Sequence, residues 1–114
     1  MKRFVFILLF SLFAAFAAPA QVKVGMTDTA AYYPLLRGQR VAVLANQTSV
    51  AELPGAPGAD AAGRVHLVDL LHGSGFDVAA IFSPEHGFRG TADAGEHVKS
   101  SVDARTGIPI RSLY

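Results

Sequence analysis

Val41-Ala42-Val43-Leu44-Ala45 and Val78-Ala79-Ala80-Ile81-Phe82 are the two stretches whose reading decides the fold. Each is a short continuous apolar run with β-branched residues, bounded by polar ones, as expected of strands buried on both faces of a parallel sheet. Between them, residues 65–72 place Leu67, Leu70 and Leu71 on one helical face before Gly73 stops the helix. Strand, helix, strand predicts a βαβ unit with parallel strands and a right-handed crossover. The predicted class is α/β, a Rossmann-like parallel sheet.

Working outward, Thr27 or Asp28 is placed to cap a helix through Leu36, with Ala31, Tyr32, Leu35 and Leu36 at helical spacing and Gly38 beyond its end. Residues 49–63 are rich in Ala, Gly and Pro and carry Pro54-Gly55 and Pro57-Gly58, so a mobile surface loop is expected there. Ile108-Pro109-Ile110-Arg111-Ser112-Leu113-Tyr114 reads as the entry to a third strand with nothing after it. Two short helices leave sheet faces uncovered, so residues 21–114 are expected to be an incomplete piece of a longer protein. A chain ending at Tyr114 is expected to be inactive by itself, the missing part holding half of the active site.

The first 20 residues are of another kind. Lys2 and Arg3 precede a run interrupted only by Ser11 from residue 4 to 16, and Ala18-Pro19-Ala20 follows. This is the pattern of a secretory signal peptide cleaved before Gln21, since the run is short for a membrane span of roughly 20 apolar residues. The expectation is an exported protein, periplasmic or extracellular, with no stable membrane anchor.

Composition narrows the chemistry. In 114 residues there is no Cys, which removes disulfides, thiol nucleophiles and Cys-ligated metal centres. Formal net charge is +1 with no basic run, so no nucleic-acid partner is expected. No Gly-x-Gly-x-x-Gly follows either strand, which leaves the sheet without a dinucleotide or phosphate signature and no cofactor implied. Parallel strands at 41–45 and 78–82 would bring Asn46-Gln47-Thr48 and Ser83-Pro84-Glu85-His86-Gly87 to one carboxyl edge, where open α/β sheets bind ligands.

With these segments placed, Leu36-Arg37-Gly38-Gln39-Arg40-Val41-Ala42-Val43-Leu44-Ala45-Asn46-Gln47-Thr48, Asp69-Leu70-Leu71, Phe82-Ser83-Pro84-Glu85-His86-Gly87-Phe88-Arg89-Gly90, Ala92-Asp93-Ala94-Gly95-Glu96 and the segment 106–114 resemble the N-terminal part of the NamZ-type exo-β-N-acetylmuramidases. The resemblance implies a Rossmann-like domain, a second domain, and an active site in the cleft between them. It also implies release of the non-reducing-end N-acetylmuramic acid from peptidoglycan fragments, and peptidoglycan-derived muramyl sugars as partners.

On that resemblance Glu85 is the general acid, offered from a stiff turn because Pro84 pushes Ser83 toward an extended conformation. The alternative is a carboxylate on an exposed loop. His86 binds substrate, tunes Glu85 or plays a structural part. Asp93 is the candidate second catalytic residue, either a carboxylate partner or the group that positions the substrate's acetamide; its alternative is a turn residue. Glu96 supplies a further carboxylate. Asn46, Gln47 and Thr48 both donate and accept, which suits sugar hydroxyls and an acetamide, against a strand-end cap for Asn46. Arg89 suits the lactyl carboxylate of muramic acid, against a surface salt bridge.

Two other classes compete. One is a non-catalytic exported sugar-binding module, since fold does not fix function. The other is a metal-dependent hydrolase using His86, Asp93, Glu96 and His97, although their spacing matches no zinc motif and no metal is expected. His66 and His72 read as solvated or capping groups.

Overall fold

The computed structural model describes residues 22–84, 87–90 and 100–113. The expected leader, and Glu85, His86, Asp93, Glu96 and His97, lie outside the described residues. After a 3₁₀ turn at Gly25–Thr27, the elements are α1 (Thr29–Leu36), β1 (Arg40–Leu44), β2 (Val50–Glu52), β3 (Arg64–His66), α2 (Leu67–Gly73), β4 (Asp77–Ser83), β5 (Ser101–Val102) and β6 (Pro109–Ser112).

β1 pairs parallel with β4, opposing Val43 to Ile81 and Leu44 to Phe82. β6 continues the sheet parallel to β4, and β5 closes it antiparallel, in the order β1-β4-β6-β5. The fold is therefore the expected α/β class with a mostly parallel sheet, and the segment at 109–112 is the strand its sequence announces.

One apolar cluster holds the domain together. Val43, Ala45, Val78 and Ile81 of the sheet meet Val68 and Leu71 of α2, with Phe88 and Ile108 closing the same side. α1 packs there through Tyr32, Tyr33 and Leu36. The Tyr33 ring stands edge-on to Phe76 at 4.7 Å, and its hydroxyl shares a 2.8 Å hydrogen bond with Ser74 Oγ. Burial of these side chains is the main stabilising term.

Three expectations are corrected. The apolar strands are not buried on both faces: Ala42 and Leu44 stand beside Ala80 and Phe82 on the far side of the sheet, where Leu44 is 66% exposed. Both helices pack into the one cluster, which leaves the far face uncovered among the described residues. In α1 the inward residues are Tyr32, Tyr33 and Leu36, while Leu35 and Ala31 face outward, because the helix docks through its aromatic rings.

The third correction concerns residues 49–66. Val50–Glu52 is a strand, paired antiparallel with Arg64–His66, so Val65 and His66 belong to β3 and the helix begins only at Leu67. The Gly- and Pro-rich residues between the strands fold onto α2. A Cβ on Gly58 would come within 2.9 Å of Asp69 Cβ and its carbonyl oxygen.

Candidate functional site

The parallel pairing carries through to the end of β1, where Ala45 N–H donates to the Phe82 carbonyl at 3.0 Å. Asn46-Gln47-Thr48 and Ser83-Pro84 consequently leave the sheet side by side at its carboxyl edge. Ser83 is fully buried, and its carbonyl accepts the Leu113 N–H at 3.1 Å, so the strand that leads into Glu85 is fixed up to its last residue.

The Asn46 turn is internally bonded. Asn46 Oδ1 accepts from Thr48 N–H at 3.0 Å and from Thr48 Oγ1–H at 2.7 Å, the strand-end cap of the alternative reading. Its carbonyl receives His66 Nε2–H at 2.8 Å. His66 Nδ1 in turn accepts Val68 N–H at 3.2 Å and caps α2, which assigns the ring proton to Nε2. The capping role expected of His66 is thus present, but the ring is buried rather than solvated. Burial lowers its pKa, against the opposing pull of the Asn46 carbonyl and Asp69.

Gln47 lies under Gly90, whose φ of +70° lets the chain pass close: a Cβ there would sit 2.9 Å from Gln47 Cβ. Gln47 Oε1 is buried without a hydrogen-bond partner among the described residues. Gln47 and Arg89, both expected from the sequence, line one open cavity of about 240 Å³ with Gly58, His66, Asp69 and Arg105.

Arg89 has internal partners. Nη1 and Nη2 donate to Asp69 Oδ2 and Oδ1, both at 3.0 Å, while Nε and Nη2 donate to Asp103 Oδ1 and Oδ2, both at 2.8 Å. The pairs are part-buried rather than a surface salt bridge, with the Asp69 and Asp103 side chains 4% and 5% exposed. Arg105 Nη1 adds a 3.2 Å bond to Asp69, and Thr106 donates to Asp103 through its backbone N–H and its hydroxyl. The Arg89 guanidinium, with Thr106 helping and burial opposing, holds the Asp103 carboxyl at about 2. Hydrogen bonds to Asp103 first and Asp69 second push the Arg89 pKa upward. Cζ of Arg89 also lies 4.5 Å from the Phe88 ring centre, and His66 stands edge-on to that ring at 4.6 Å.

Asp69, Asp103 and Arg105 were missed as site residues. The signals were an acid inside the apolar stretch Val68-Asp69-Leu70-Leu71, which demands a cation once buried, and an Asp three residues before Thr106 in a turn. Among the described residues no group of three or more His, Asp or Glu is placed to hold a metal ion.

Fold and edge together define an α/β domain that presents polar segments, Asn46-Gln47-Thr48 and Ser83-Pro84, at the carboxyl end of parallel strands. The family described as exo-β-N-acetylmuramidase NamZ, N-terminal, matches residues 41–114, and the chain belongs to it. It is 34% identical over 84 residues to the peptidoglycan β-N-acetylmuramidase NamZ of Bacillus subtilis, covering 73% of this chain and 18% of that protein. Two crystal structures of DUF1343 family proteins from Bacteroides fragilis are similar. One has a TM-score of 0.58 at 37% identity, covering 82% of this chain and 21% of the other; the second has 0.51 at 28%, covering 75% and 18%. The chain thus spans about a fifth of the length of these relatives.

Proposed function

We propose that this chain contributes one wall of the active site of an exo-acting β-N-acetylmuramidase that removes N-acetylmuramic acid from the non-reducing end of peptidoglycan fragments. Family membership supports a muramidase-like glycosidase role. The observation that carries the finer reading is the parallel register of β1 and β4, which sets the Asn46 turn beside the strand that runs directly into Pro84 and Glu85.

In this reading Glu85 protonates the leaving glycosidic oxygen, and Asp93 orients the substrate's acetamide or acts as the second carboxylate. Gln47, whose buried oxygen has no partner among the described residues, receives a hydroxyl or amide N–H of the sugar. His86 and Glu96 complete the polar surface around the muramyl ring. The leader at 1–20 directs the protein out of the cytoplasm, where muramyl fragments arise.

The test is direct. Full-length protein incubated with a chromogenic β-glycoside of N-acetylmuramic acid is expected to release the chromogen, and Glu85→Gln to abolish most of the release. Undiminished sugar binding with no product from the wild type would make the protein a sugar-binding module instead.

A further inference from the structure

The chain is anchored on both described sides of Glu85 and His86. Upstream stands buried Ser83. Downstream, Phe88 is 3% exposed in the core and Arg89 reaches two segments distant in sequence, α2 through Asp69 and the turn before β6 through Asp103. One planar guanidinium meets both carboxylates with paired hydrogen bonds, a geometry that an ammonium group lacks.

Asp69 is further tied to Arg105, whose Nη2 donates to the Gly58 carbonyl at 3.1 Å, so the loop covering α2 shares the network. Three guanidinium groups line or flank the cavity beside Gln47, yet Arg64 faces Asp60, and Arg89 and Arg105 face Asp69 and Asp103. The cluster is balanced internally, so its function is to fix geometry rather than to attract an anion.

We infer that Arg89 is a positioning residue, which through Asp69 and Asp103 fixes residues 87–90 against α2 and the turn before β6 and so anchors the chain that follows Glu85 and His86. The consequence for catalysis rests on the proposed role of Glu85 in glycoside cleavage. Catalytic groups displaced by about 1 Å lose on the order of 10²-fold in rate. An arginine that anchors residues 87–90 therefore governs kcat without touching the sugar.

Amide hydrogen exchange and kinetics on the full-length protein test this inference. Arg89→Lys keeps the positive charge and loses the two-sided fork, so exchange at 87–90 is expected to quicken roughly tenfold while the β4 amides keep their wild-type rates. In the same variant kcat on a natural muramyl disaccharide is expected to fall about 10–100-fold with KM within about twofold. The fall should be smaller on an activated aryl glycoside, whose leaving group needs less help from a placed acid.

Asp103→Asn, close in shape, removes one partner of the fork and is expected to move both readouts in the same direction. Equal losses on both substrates with unchanged exchange at 87–90 would overturn the inference. So would a raised KM with kcat retained, which assigns Arg89 to the substrate's carboxylate. Glu85→Gln measured alongside separates the two levels: wild-type activity there defeats the reading of Glu85 as catalytic, while the exchange rates still decide whether Arg89 anchors residues 87–90.

Discussion

Arg89 and Asp103 meet side-on, Nε to Oδ1 and Nη2 to Oδ2, at 2.8 Å each, across a carboxylate that is 5% exposed. This contact makes the fold acid-sensitive in a defined window. The Asp103 carboxyl is held at about 2 against an ordinary 3.8, first by Arg89 and then by Thr106. An unfolded chain takes up this proton near the ordinary value, and the folded one only near 2. The contribution to stability is thus complete above about pH 5 and is lost as pH falls through the folded value, amounting to about 2 kcal/mol. Denaturant midpoints measured from pH 5 downward are expected to fall along this limb, and the limb should flatten in Asp103→Asn.

His66 adds a second, milder dependence. Burial lowers its pKa below 6.5, so the unfolded chain binds the proton first and stability decreases as pH drops from the unfolded toward the folded value. His66→Ala removes the cap on Val68, the bond to the Asn46 carbonyl and the edge contact with Phe88. Cap and hydrogen bond together are worth about 1–3 kcal/mol. The expected outcome is a lower denaturation midpoint whose slope below neutrality has lost the histidine component.

The loop over α2 is tested at Gly58. Its φ is +79°, and an added Cβ would press on Asp69 Cβ and its backbone carbonyl at 2.9 Å, where no flexible side-chain end is available to move. Gly58→Ala is therefore expected to destabilise by about 1–3 kcal/mol through overpacking and positive-φ strain together. Because Arg105 Nη2 bonds the Gly58 carbonyl, exchange near Arg105 should quicken in the same variant. A thermal midpoint equal to that of the wild type would show that the loop is free to lift from the helix.

What the sequence made legible follows from what apolar patterning encodes. Val41–Ala45 and Val78–Phe82 read correctly as parallel neighbours because an unbroken apolar run that includes β-branched residues has few other homes. The same run says nothing of what covers it, and Leu44 and Phe82 turn out exposed. β2 and β3 are three residues each and sit at the ends of a Gly- and Pro-rich stretch, so period and propensity had too few positions to register. At the site, the shared edge was legible from topology. The internal partners of Arg89 were not, since Asp69 and Asp103 lie 20 and 14 residues away and pair only through tertiary packing.

The leaving-group dependence of Glu85→Gln examines the proposed chemistry most closely. Gln keeps the size and polarity of the side chain and cannot deliver a dissociable proton, so kcat on the natural disaccharide is expected to fall about 10²–10⁴-fold with little change in substrate affinity. An aryl group of low pKa departs without protonation. Under single-turnover conditions, where bond cleavage is observed directly, the deficit should shrink toward unity as the leaving-group pKa falls. A deficit of constant size across the aryl series would give Glu85 a positioning role and pass the acid function to another carboxylate, for which Asp93→Asn in the same series is the next variant. Full activity of Glu85→Gln on the disaccharide would remove Glu85 from the reaction.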